Sequence, residues 1–201
     1  MFSNKKEIIK NLINTNNGVV KTAILKENGI TSRNIKRLVD EDFLRKIRQG
    51  YYLVNEKVDS VTDVELVAKL IPDAVVCLFS AVDHYNLSTV NPTEICIALP
   101  RGTAKPILPK NLFVKFYFMT EKHFKLGITE SDYNSIAIKI YDIEKTVCDC
   151  FKYDKDIEKA IALEVLKNYM SKSCCNIQKL LEYAEIIGKR KVILPYVEAL
   201  L

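Results

Sequence analysis

Two neighbouring stretches decide the reading: Thr31-Ser32-Arg33-Asn34-Ile35-Lys36-Arg37-Leu38-Val39 and Leu44-Arg45-Lys46-Ile47-Arg48-Gln49-Gly50-Tyr51-Tyr52-Leu53-Val54. In the first, Ile35, Leu38 and Val39 recur at i, i+3 and i+4, which is one buried stripe of a helix running to about Asp42. Thr31 or Ser32 can cap that helix by accepting a hydrogen bond from a free amide of its first turn. On a wheel of about 100° per residue, Arg33 and Arg37 fall opposite Ile35, with Asn34 and Lys36 on the flanks. In the second, Phe43–Ile47 reads as a strand, Arg48-Gln49-Gly50 as a tight turn and Tyr51–Val54 as the returning strand. Gly50 supplies the permissive backbone of the tip.

Working outward, Ile8, Ile9, Leu12 and Ile13 form the apolar stripe of a first helix, stopped by Asn16-Asn17-Gly18. A second helix spans about Lys21–Asn28 with Ala23, Ile24 and Leu25 inward, and Asn28-Gly29 ends it. Three helices with a short glycine-containing turn before the third, then a hairpin, predict a winged helix-turn-helix. Such a module places the N-terminal end of its third helix in a major groove. Arg33, Asn34, Lys36 and Arg37 carry groups that reach base edges. Arg45, Lys46 and Arg48 on the wing suit phosphates or the adjacent minor groove. Thr31, Ser32, Gln49 and Tyr51 complete the set expected to touch DNA. Asp40 and Glu41, at the far end, are expected to face away from the phosphates. Winged helices also serve in protein contacts, but cations gathered on one side favour DNA.

The charge distribution agrees. Residues 1–56 hold 11 basic and 6 acidic residues, whereas residues 57–201 hold 19 of each, so the whole net charge of +5 belongs to the first quarter. A small basic module joined to a larger neutral one points to nucleic acid at one end and another task at the other. The chain has 201 residues, 48% of them hydrophobic and 27% charged, with mean hydropathy near zero. That composition excludes wholesale disorder and collagen-like or coiled-coil rods. No apolar run approaches the ~18 residues of a membrane span, and Ser3-Asn4-Lys5-Lys6-Glu7 forms no signal-peptide core, so a cytoplasmic location is expected. Cys77, Cys96, Cys148, Cys150, Cys174 and Cys175 have C-x-C and C-C spacings with neither His84 nor His123 near them. Reduced thiols packed as core filler are expected, with no metal.

In the neutral remainder, Thr62-x-x-Glu65 is a capping box opening a helix with Val64, Val67, Ala68 and Ile71 inward, closed by Pro72. The run Ala74–Leu87 is apolar enough for a strand or a buried helix. Alternation marks strands at Glu94–Leu99, Val114–Met119 and Ser135–Tyr141. Asp142 is placed to cap a following helix, with Thr146 and Asp149 as buried hydrogen-bonding groups. Helices follow at about 156–170, 176–187 and 190–200, with Gly188 at the C′ position of the middle one.

Several of these segments together resemble one family. They are Val20-Lys21-Thr22-Ala23, Asn28-Gly29-Ile30-Thr31, Ile35-Lys36-Arg37-Leu38-Val39 and the hairpin Leu44–Tyr52, with its Gly-x-Tyr ending. Further along come Ser80-Ala81 with His84 and Leu87, and Lys145-Thr146 with Asp149. The chain is similar along nearly its whole length to AbiEi-family antitoxins of bacterial abortive-infection (AbiE-type, type IV) toxin–antitoxin systems. The resemblance makes Ala74–Leu87 helical. It implies a phage-defence role: an antitoxin and transcriptional repressor of its own operon that counters a co-encoded nucleotidyltransferase-like toxin.

No catalytic constellation assembles. Asp142 with Glu144 and Asp154 with Asp156 are i, i+2 pairs, which point apart on a helix. Ser80 and His84 lie at i, i+4, yet no third group or oxyanion loop accompanies them. Glu144-Lys145 and Glu121-Lys122 lack the intervening residue of a Glu-x-Lys nuclease motif, and with Gly102 standing alone, six glycines in 201 residues leave little room for a phosphate loop. The expectation is therefore an α+β protein without cofactor or catalytic site. Residues 1–56 are its winged helix, and residues 57–201 are a mixed α/β interaction domain with a small sheet and a helical tail. A regulator whose second domain senses a small ligand is the alternative.

Overall fold

The computed structural model describes residues 2–15, 19–55, 62–109, 112–133 and 136–201. It is a mixed α+β chain that divides into two compact units, residues 1–70 with 107–112, and residues 71–106 with 113–201. The boundary expected at 56/57 falls outside the described residues; the helix opened by Thr62 belongs to the N-terminal unit.

That unit runs α1 (Phe2–Thr15), β1 (Val20–Lys21), α2 (Thr22–Glu27), α3 (Ser32–Asp40), β2 (Leu44–Arg48), β3 (Tyr51–Val54) and α4 (Asp63–Leu70). The strands form an antiparallel sheet in the order β1-β3-β2. Ile9, Ile13, Leu25, Ile30, Ile35, Leu38, Leu44 and Val54 make one core, to which α1 and α3 contribute the stripes that their periodicity predicts, whereas α4 buries Glu65, Val67 and Leu70 instead of Val64 and Ala68. In α2, however, Leu25 alone is buried while Ala23 is exposed, because the helix is only six residues long and turns one position inward. Thr31 is the cap of α3, accepting from the Asn34 amide at 3.3 Å. Gly50 takes φ +82°, and its carbonyl accepts from the Thr22 amide at 2.8 Å, which ties the hairpin tip to the start of α2. The capping box of α4 is reciprocal: Thr62 N donates to Glu65 Oε2 at 2.8 Å and Glu65 N to Thr62 Oγ1 at 3.4 Å.

The C-terminal unit runs β4 (Val75–Val76), α5 (Leu78–His84), β5 (Ile95–Pro100), β6 (Val114–Met119), α6 (Glu121–Lys125), β7 (Ile128–Tyr133), β8 (Ile136–Tyr141), α7 (Ile143–Lys152), α8 (Lys159–Met170), α9 (Ile177–Ile186) and α10 (Arg190–Leu200). Its five strands lie in the order β6-β5-β4-β8-β7. The pairs β5–β6 and β4–β8 are parallel, and β4–β5 and β7–β8 antiparallel. Three strands were expected here. The additional β4 is a two-residue link that opens the Ala74–Leu87 run before it turns helical. The additional β7, Ile-Thr-Glu-Ser-Asp-Tyr, is an edge strand too polar to stand out by alternation.

Every residue of α7 from Glu144 to Phe151 is buried, so this helix is the centre of the unit rather than the start of a tail. Asp142 caps it, accepting from the Lys145 amide at 2.9 Å. Lys145 and Asp149, both fully buried, pair with each other, and the Lys145 ammonium lies 4.3 Å from the centre of the Tyr141 ring. Burial pushes the Asp149 carboxyl up, against the pull of that ammonium. Thr146 Oγ1 donates to the Asp142 carbonyl at 2.8 Å. Cys77, Cys96, Cys148 and Cys150 are buried free thiols, Cys175 is half-buried and Cys174 exposed. No helix among the described residues is long and apolar enough to cross a membrane.

Candidate nucleic-acid interface

Between α2, α3 and the β2–β3 hairpin lies a groove of about 420 Å³. Ser32, Ile35, Lys36 and Val39 line it from α3, at the i, i+3, i+4, i+7 spacing of one helical face. Lys46, Gln49 and Tyr52 enter from the hairpin, and Thr22 and Lys26 from α2. The floor is apolar and continuous with the core. The walls carry three ammonium groups, three hydroxyls and one amide. Lys46 donates to Gln49 Oε1 at 2.7 Å, which fixes both at the hairpin end. Among the described residues Lys26, Arg33, Lys36 and Arg45 make no ion pair or side-chain hydrogen bond, so their donors face solvent. A groove with Lys26, Lys36 and Lys46 on its walls, and Arg33 and Arg45 exposed on two of the elements that form it, attracts a polyanion.

Of the sequence-predicted residues, Ser32, Lys36, Lys46 and Gln49 come together on this groove. Arg33 and Arg45 are exposed, on α3 and β2 respectively. Thr31 and Asn34 are bound to each other in the cap.

Arg37 is held by Glu41, its Nε donating to Oε1 at 2.7 Å, and Glu41 Oε2 meets Lys6 Nζ at 3.2 Å. Glu41 thus offsets the charge of Arg37 and Lys6, and the Arg37 and Lys6 hydrogen bonds hold its carboxyl below the usual range.

Arg48 departs from the expected wing-tip position. Its guanidinium donates to the carbonyls of Leu70 at 2.9 Å and Ile107 at 3.0 Å and stacks 4.2 Å from the centre of the Tyr51 ring. Arg48 and Tyr51 therefore form an internal strut. The bulge between Lys46 and Arg48 aims the side chain inward.

Lys26, Thr22 and Tyr52 were missed at the sequence level. Thr22 and Lys26 are i, i+4 neighbours on the solvent side of α2, a spacing that places them on one face.

In the C-terminal unit the paired acids behave differently from their spacing. Asp142 precedes α7 in extended backbone, so the helical rule does not apply. Asp142 and Glu144 converge on Lys179 Nζ, 3.0 Å from each. Tyr183 Oη donates to Asp142 and Tyr169 Oη to Glu144, both at 3.0 Å, so this cluster is satisfied internally. Asp154 pairs with Lys189 at 3.1 Å and Asp156 with Lys115 at 2.6 Å. Ser80 Oγ accepts from the Cys96 amide at 2.9 Å, and His84 Nε2 meets Ser131 Oγ at 2.9 Å, so Ser80 and His84 are engaged by separate strands. Among the described residues no group of three or more His, Cys, Asp or Glu is gathered that could hold a metal ion.

Compared with known proteins, the chain matches no family model, and no curated protein matches it in sequence.

Proposed function

We propose that the N-terminal unit is a winged helix that binds duplex promoter DNA, and that the protein is the antitoxin and autorepressor of a bacterial abortive-infection toxin–antitoxin operon. The observation that carries the DNA reading is the groove between α3 and the hairpin, with Lys26, Lys36 and Lys46 on its walls. A phosphodiester strand follows such a groove while the first turn of α3 enters the major groove. Arg33, Lys36 and Ser32 then read base edges, and Arg45, Lys46 and Gln49 position the duplex through its backbone. Arg37 contributes less, being shared with Glu41, and Arg48 and Tyr51 support the hairpin from within.

The C-terminal unit is read as the non-catalytic, toxin-countering part of a cytoplasmic protein. Ser80 and His84 are engaged by separate strands and Asp142 and Glu144 are tied up together on Lys179, which supports this, and the resemblance to AbiEi antitoxins supplies the task. Co-expression with the gene encoded beside it tests both halves. Full-length protein restores growth and represses a reporter under its own promoter. Arg33→Ala with Lys36→Ala, supplied from a foreign promoter, restores growth but loses repression. Deletion of residues 113–201 abolishes rescue. A neighbour that is not toxic, or rescue by the truncated chain, contradicts the antitoxin assignment.

A further inference from the structure

A cleft of about 320 Å³ lies within the C-terminal unit, lined from β4, β5, α6, β7 and β8 and the segments beside them. Val75, at the start of β4 and fully buried, contributes to its floor, and Phe124 of α6 and Ile128 of β7 form apolar walls. Ile128 lines the cleft while 38% exposed, an aliphatic side chain left half in water. Tyr141 Oη donates to the Phe124 carbonyl at 2.9 Å and fastens α6 to the sheet. A concave, pre-formed, mostly apolar cleft with a few polar groups at its edge is the usual form of a small-molecule site, and this volume is at the small end of the range.

Three polar side chains line it: Asp73, Thr103 and Lys139. Lys139 is the one cation among the residues lining the cleft. Its ammonium donates to the Pro72 carbonyl at 3.0 Å and stands 4.0 Å from Asp73 Oδ1, whose side chain is 91% exposed. A pair that open and solvated restrains the lysine weakly. Glu130 is opposite Lys139 in the β7–β8 register, but the ammonium turns to Pro72 and Asp73 instead. An ammonium has three donors, and one good hydrogen bond leaves two for a ligand. The Thr103 hydroxyl has no partner among the described residues.

We propose that this cleft binds a small amphipathic carboxylate, its apolar body against Pro100, Phe124 and Ile128 and its carboxylate on Lys139 and Thr103. Lys139 is the one cation of the lining and Asp73 already offsets part of its charge, so a single negative charge is the most the cleft can match; a doubly charged phosphate would meet net repulsion. The proposal uses only residues of the C-terminal unit and does not rest on the DNA reading.

Isothermal titration of the full chain tests it, with benzoate and octanoate as probes and benzyl alcohol and octanol as their neutral counterparts. One carboxylate or both bind with one-to-one stoichiometry. Lys139→Gln weakens that binding about tenfold or more, as expected for loss of a charge-assisted hydrogen bond, and leaves the alcohols unchanged. Ile128→Asp, at an accessible position, also weakens the carboxylate by placing a like charge in the wall. Heats equal to dilution for both carboxylates overturn the proposal. So does equal affinity of the wild type and Lys139→Gln, or an alcohol that binds as tightly as its carboxylate.

Discussion

The Arg48 guanidinium bonds two carbonyls, of Leu70 and Ile107, and covers the Tyr51 ring. Removing it leaves both carbonyls to find water and frees one side of the hairpin turn. Arg48→Ala should therefore cost about 1.5–3 kcal/mol of stability, the range for hydrogen bonds to a charged group. On the proposed DNA reading it should leave the salt dependence of binding unchanged, because the Arg48 guanidinium is taken up by the Leu70 and Ile107 carbonyls. Arg45→Ala, at an exposed position assigned to the DNA backbone, should do the reverse, keeping stability within about 0.5 kcal/mol and lowering the magnitude of the log–log salt slope by about one. Urea denaturation and anisotropy titrations at several salt concentrations separate the two. Position 48 also marks the limit of the sequence. Arg48 in a hairpin turn reads as a phosphate contact, and its true partners lie 22 and 59 residues away, beyond any local pattern.

At the scale of elements, α3 and its hairpin were legible because each obeys a short period: 3.6 for Ile35, Leu38 and Val39, and 2 about a glycine turn for residues 44–54. The edge strand β7 was hidden, since one side of its register faces polar surroundings and its composition reads as loop. The convergence of Asp142 and Glu144 was hidden too, because spacing rules assume a helix where the cap is extended.

Helix α7 carries the least expected feature, a fully buried Lys145–Asp149 pair. Lys145→Met alone strands the Asp149 carboxylate and should cost about 3–5 kcal/mol, whereas adding Asp149→Leu should recover most of that loss. A double-mutant cycle by chemical denaturation measures it.

Beside α7, His123 Nδ1 sits 2.5 Å from Lys152 Nζ. Burial first, and then that ammonium, lower its pKa. A histidine with a depressed folded-state pKa binds fewer protons folded than unfolded. Its contribution is complete above the unfolded value of about 6.5 and is lost as pH falls below it. The melting temperature should drop between pH 7 and pH 5.5, and His123→Gln should flatten that drop.

Across the whole molecule, the positive charge excess and the groove share one unit, while the neutral unit holds the larger core. That separation is why residues 1–56 could be recognised as basic, and why charge arithmetic could say little about residues 57–201. A fragment ending at Glu56 lacks both carbonyls that hold Arg48, so the full chain is the right material for binding work. The measurement that tests the central claim most directly is fluorescence anisotropy of the full chain with a duplex from its own upstream region and a scrambled duplex, at a series of salt concentrations. The account predicts preference for the upstream duplex, a steep negative log–log slope from several phosphate contacts, and loss of the preference in Arg33→Ala with Lys36→Ala. Equal, salt-insensitive binding to both duplexes, or no binding to either, would contradict it.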